Sequence, residues 1–198
     1  MTFGDGGSSS YTQVDSSGHL SLHGTATVWE DLRVPAQNTK INPSKSEPNF
    51  ENWIGGLYTY HFDNNNADDE SIHFAAQMPH SYKEGSDVYP HLHWSPNTTA
   101  TGDIVWELEY SVANIGSTFP DTVTDTITAS ATGIDYFHNL DNFTTISDTS
   151  LTISHIYVCR LTRLGTDTGD TYTGDAVFLE FDFHFEIDTI GSKTESAK

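Results

Sequence analysis

Apolar residues recur at every second position through much of the chain, and the longest such run covers residues 176–188. Val177, Leu179, Phe181, Phe183, Phe185 and Ile187 alternate there with Phe178, Glu180, Asp182, His184 and Glu186. Successive side chains of a strand point to opposite sides of a sheet, so a period of two predicts one buried face and one wet face. The run is read as a long core strand of an antiparallel sheet, with its odd-numbered residues inward.

The same rule predicts strands over 25–34, closed by Pro35, over 57–62 behind the Gly55-Gly56 break, and over 72–78. Residues 88–94 place His91 and His93 on one face with Leu92 and Trp94 on the other. Residues 103–114 alternate around Ile104, Trp106, Leu108, Tyr110 and Val112, and 122–128 read as an edge strand. In 151–164, Ile153, Ile156 and Val158 favour a strand over a helix. Residues 36–52, with Pro43 and Pro48, read as a long loop, and 165–174 as a Thr/Asp/Gly hairpin loop. About eight strands with uneven connections and no helix predict an all-β fold, a jelly roll or related two-sheet β-sandwich. Its domain runs over 25–190, behind an extended, flexible Gly/Ser-rich arm (1–24) and ahead of a polar tail (191–198).

Charge narrows the function classes. Eight Lys and Arg stand against 28 Asp and Glu, a formal net charge of -20, and no Lys or Arg lies between Lys83 and Arg160. Such a surface repels phosphate, which argues against nucleic acid and anionic membranes as partners. No apolar run approaches the roughly 18 residues of a membrane helix, and no basic-then-apolar signal segment opens the sequence, so a soluble protein is expected. The single cysteine, Cys159, excludes an intramolecular disulfide framework.

Candidate chemistry is sparse. His91 and His93, two apart on one strand face, can grip one metal ion as neutral imidazoles. That pair resembles the first motif of the cupins, but Asn97 and Thr98 stand where the family has a glutamate and His138 lacks the matching context. A cupin-like metal site is therefore the third-ranked reading, and no cofactor is expected. His184 sits between Asp182 and Glu186, and residues 63–70 offer hard oxygen ligands of the kind Ca²⁺ prefers, without the glycine and spacing of an EF-hand loop. The acid pair Glu107 and Glu109 is what an acidic strand presents anyway. No nucleophile elbow, phosphate loop or zinc-spaced Cys/His pair occurs, so no enzyme is expected.

The blocks Pro90-His91-Leu92-His93-Trp94-Ser95-Pro96, Gly102 to Gly116 and Phe119-Pro120 resemble a group of uncharacterised structural proteins of tailed bacteriophages, the likeness covering about residues 88–188. The resemblance implies a virion component rather than an enzyme; the acidic surface, unsuited to lining packaged DNA, the cofactor-free β-module and the Gly/Ser-rich arm favour a capsid decoration or cement protein on the particle exterior. Its expected partners are further copies of itself, a trimer being favoured, and other virion proteins such as the major capsid protein. Phe3, Tyr11, Leu20 and Leu22 would anchor the arm in a neighbour. The alternative is a tail, baseplate or fibre module that contacts host-surface glycans, with Trp53, Tyr58 and Tyr60 as candidate contacts.

Overall fold

A computed structural model describes residues 1–4, 9–42, 46–64 and 68–198. The chain opens with β1 (Thr2–Gly4), β2 (Tyr11–Val14), β3 (Leu20–His23), β4 (Val28–Pro35) and β5 (Lys40–Ile41). It continues with β6 (Asn49–Ile54), β7 (Leu57–Phe62), β8 (Glu70–Gln77), β9 (Val88–Pro96) and β10 (Thr101–Ala113). The last strands are β11 (Val123–Thr132), β12 (Asn139–Asn142), β13 (Ile156–Arg163) and β14 (Ala176–Ile187). Two short 3₁₀ turns are the only helical segments among the described residues.

The strands form a two-sheet sandwich with a small third sheet beside it. One main sheet runs β11-β10-β13-β8-β5; the other runs β12-β9-β14-β7-β6, with β4 also paired to β14. Aromatic contacts join the sheets across the core: Phe181 of β14 against Phe74 of β8 (5.1 Å), Phe183 against Tyr157 of β13 (4.6 Å), and Phe62 of β7 against Trp106 of β10 (5.1 Å). Each fully buried phenylalanine contributes about 1.5–3 kcal/mol by leaving water, so this aromatic seam accounts for the placement of β14 at the centre of its sheet. Edge strand β11 lies where its pattern predicts, and residues 151–164 supply β13 rather than a helix.

The alternation in β14 is not continuous, which corrects the inward set. Phe178 pairs with Trp94 and Glu180 with His93, so Leu179 is an extra, bulged residue. The bulge exchanges the faces: Ala176 and Phe178 are core residues before it, and Phe181, Phe183 and Phe185 after it. Val177 therefore points outward, although buried, and Leu179 is only half-buried. The bulge falls where β14 changes partners on one edge, from β7 at Ala176 and Val177 to β4 from Glu180 onward. The Thr59 hydroxyl donates to the Phe178 carbonyl there (2.5 Å), satisfying an acceptor at the changeover.

Two further expectations change. The leader, expected as an extended arm, is pleated into the antiparallel meander β1-β2-β3. It is tied to its own chain by Leu22 N–H to Asp188 O (2.6 Å), a Ser21–Thr189 bridge and a His19 ring nitrogen on Gly191 O (3.1 Å). Main-chain hydrogen bonding needs no apolar pattern, so a Gly/Ser-rich composition did not forbid it. Residues 5–8, which include much of that glycine and serine, and Pro43 lie outside the described residues. Within the stretch read as a loop, β6 forms and pairs with β7 through a turn at Gly55, whose φ of +59° suits glycine. An edge strand with little burial on either side has no alternation to display.

Candidate functional site

The six-stranded sheet turns Leu32, Val34, Leu92, Trp94 and the β14 phenylalanines inward, which sends the intervening residues of β4, β14 and β9 outward. Antiparallel register then assembles a lattice of polar and aromatic groups on that outer face. Trp29, Asp31 and Arg33 come from β4; Glu180, Asp182, His184 and Glu186 from β14; Tyr89, His91 and His93 from β9. Register alone brings Asp182 opposite both Arg33 and His91, and His184 opposite both Asp31 and Tyr89.

Asp182 is the buried centre of this face, 5% exposed. His91 Nδ1 faces its Oδ1 and His93 Nε2 its Oδ2, each at 3.3 Å. The two imidazoles therefore straddle one carboxylate, each addressing a different oxygen. His93 Nδ1 also meets His138 Nε2 at 2.7 Å, a contact supplied by the segment before β12. Arg33 holds Glu180 through a two-pronged pair at 2.5 Å, and this contact raises the guanidinium pKa still further. His184 Nδ1 lies 2.5 Å from Asp31 Oδ1, with its ring between Trp29 (4.8 Å) and His91 (5.5 Å).

Trp29 is the exposed aromatic of this face. It is 48% exposed, stacks on His184 and meets Tyr89 edge-on at 5.4 Å. Two open clefts mark this face, and Trp29 lines one of them. One, of about 320 Å³, is lined by Trp29 and Tyr89 with Lys83, Ser86, Asp87 and Glu186; the other, also about 320 Å³, by Asp31, Arg33, His93, His138, Leu179, Glu180 and Asp182. Lys83 pairs with Glu186 at the floor of the first.

Other sequence candidates fall elsewhere. Tyr58 is exposed beside Phe50 (6.2 Å), Tyr60 packs against the core, and Trp53 is half-buried near Tyr136 (6.2 Å). Of the leader residues, Phe3 is exposed, whereas Tyr11, Leu20 and Leu22 are half-buried in the meander, with Tyr11 stacked on His23 (4.4 Å). Of the acidic turn at 63–70, residues 65–67 lie outside the described residues; Asp69 accepts from Thr166 and Glu70 from the Asp63 N–H. Arg160 bridges Glu107 (3.0 Å) and Glu109 (2.8 Å). Cys159 is buried opposite Phe74, and burial pushes its thiol pKa up, which suits packing rather than reactivity.

Sequence reading missed Trp29, Tyr89, Asp31 and Arg33. The alternation of Trp29, Asp31 and Arg33 with Leu32 and Val34 carries the signal for their face, but not the pairing of β4 with β14 that sets them beside His184.

Fold and site together define a two-sheet β-sandwich whose one sheet presents a polar, aromatic outer face. No protein-family model and no curated protein matches the chain. Among solved structures, TmCBM61 in complex with beta-1,4-galactotriose is similar at 14% identity, over 81% of this chain and 88% of that one, with a TM-score of 0.28. A superposition that loose transfers no ligand position to this chain.

Proposed function

We propose that the protein is a non-catalytic virion module that contacts a host-surface glycan through the outer face of the six-stranded sheet. The observation that carries this reading is Trp29: a large apolar ring left half in water, held by His184 and Tyr89, on the wall of a cleft shared with Lys83, Asp87 and Glu186. Contiguous apolar surface rimmed by polar groups marks interaction sites, and Trp29 with Tyr89 supplies the aromatic part of one here. A sugar ring matches it chemically, since one side of a pyranose is a flat patch of C–H bonds and its rim is hydroxyl. The indole face takes the C–H patch, while Lys83, Asp87 and Glu186 line the cleft beside it to bond the hydroxyls. The net charge of -20 disfavours sialylated or sulfated glycans and favours neutral ones. The virion setting rests on the likeness of residues 88–188 to tailed-phage structural proteins.

A glycan array probed with the full chain tests the reading. Retention of one class of neutral glycan, weakened at least about tenfold by Trp29→Ala, is the expected result. An array that retains nothing, or binding indifferent to Trp29→Ala, refutes it.

A second reading, a decoration subunit on the capsid exterior, is favoured by a different surface. Phe50, Ile54, Leu57 and Tyr58 of the β6–β7 hairpin are all more than 40% exposed, at 53%, 42%, 62% and 54%. A contiguous apolar edge of this kind suits a trimer contact or docking on the major capsid protein. A monomer in solution that also fails to bind heads removes that reading.

A further inference from the structure

On the same sheet, away from Trp29, three ligand-type side chains meet around one point. Glu51 of β6, His61 of β7 and Asp175 just before β14 bring one ligand atom each to within 4.8 Å of the others. Among the described residues, no other trio of His, Cys, Asp and Glu does so. His61 Nδ1 lies 3.6 Å from Glu51 Oε1 and 3.6 Å from Asp175 Oδ2. That is too long for a hydrogen bond. It does match two ligands of one ion, because bonds of about 2.0–2.2 Å at 110–120° set the donor atoms roughly 3.3–3.8 Å apart.

The imidazole itself points to an occupant. Its side chain is 5% exposed and neither ring nitrogen has a hydrogen-bond partner among the described residues. A buried polar group left unpaired costs about 1–3 kcal/mol, so a nitrogen aimed between two carboxylates and bonded to neither is a vacant ligand. Asp175 is already oriented: Asn97 donates to its Oδ2 (2.6 Å) and accepts from its backbone N–H (2.8 Å). Such supporting bonds fix a metal ligand before the metal arrives. The Glu51 carboxylate is 52% exposed, which leaves a path for entry. The nearby guanidinium, that of Arg163, is committed to Asp170 and to the carbonyls of Phe62, Tyr172 and Gly174 and cannot neutralise the pair.

We propose that Glu51, His61 and Asp175 form a binding site for a divalent transition-metal ion, with Zn²⁺ the best match. One imidazole and two carboxylates carry a charge of -2, which the ion balances, and three protein ligands leave a position for water. The ion clips β6 and β7 to the start of β14, so binding raises the stability of this edge of the sandwich. His91 and His93, the pair singled out by the sequence, lack this convergence because each addresses a different oxygen of Asp182.

The test uses untagged full-length chain stripped with chelator and titrated with ZnCl₂ by calorimetry, with thermal melting in parallel. One equivalent of Zn²⁺ binds and raises the melting temperature. Glu51→Gln, at an exposed position that folding tolerates, weakens binding at least tenfold, as does His61→Gln if it folds, while His93→Ala and Trp29→Ala leave it unchanged. Absence of binding, or binding that Glu51→Gln leaves intact, overturns the site. Loss of binding in His93→Ala alone overturns it too, in favour of the Asp182 cluster.

Discussion

Removing the Arg163 guanidinium should destabilise the fold strongly. Arg163, at the end of β13, is completely buried and makes five hydrogen bonds. Two go to Asp170 (Nε to Oδ2, 2.9 Å; Nη2 to Oδ1, 2.7 Å), two from Nη1 to the carbonyls of Phe62 and Gly174 (2.9 Å each), and one from Nη2 to Tyr172 O (2.7 Å). Arg163→Met keeps most of the volume but leaves the Asp170 side chain, 1% exposed, with the Val105 N–H (3.2 Å) as its one remaining partner among the described residues. Breaking a buried ion pair by removing one partner costs about 3–5 kcal/mol, since the remaining charge stays desolvated. Losing the bonds to the Phe62, Gly174 and Tyr172 carbonyls adds to this, although Tyr172 O keeps the Asn64 side-chain amide (3.0 Å). For a domain of this size, about 2–4 °C of melting temperature accompanies each kcal/mol, so a fall of roughly 6–20 °C is expected. Urea unfolding gives the free energy directly. Asp170→Asn in the Arg163→Met background should recover about 1 kcal/mol or more by discharging the stranded carboxylate. A single variant within about 1 kcal/mol of wild type, or a double variant no more stable than the single, would refute the reasoning.

Two other outcomes follow from particular residues. Burial pushes the Glu70 carboxyl up to about 7, opposed in part by the Asp63 N–H and Arg163. The folded state thus holds this proton more tightly than the unfolded chain, so stability is lost as pH rises from about 4.5 to 7. Glu70→Gln should gain up to about 3 kcal/mol on wild type between pH 4 and pH 8, measured by urea unfolding; a pH-independent difference contradicts it. The β14 bulge predicts that Leu179→Ala costs under about 1 kcal/mol while Phe181→Ala costs about 3–5 kcal/mol, whereas unbroken alternation would make both core truncations. Thermal melts of the two variants decide between them.

The all-β class, the position of β14 and the inward faces of β8, β9 and β10 could be read directly from the chain, because period two is a local property that burial of one face imposes. So was the outward, same-face placement of His91 and His93, though not the carboxylate between them. Edge strand β6 and the meander β1–β3 escaped notice, since strands held mainly by main-chain hydrogen bonds leave no apolar signature. The sequence by itself determined which residues alternate and that an acidic β-sandwich would result. Only the tertiary structure decided where alternation breaks, at Leu179, and which distant residues meet. Trp29 beside His184, and Glu51 and Asp175 beside His61, depend on strand register and partner choice. Those are set by packing across the whole core, and no local stretch of sequence contains them.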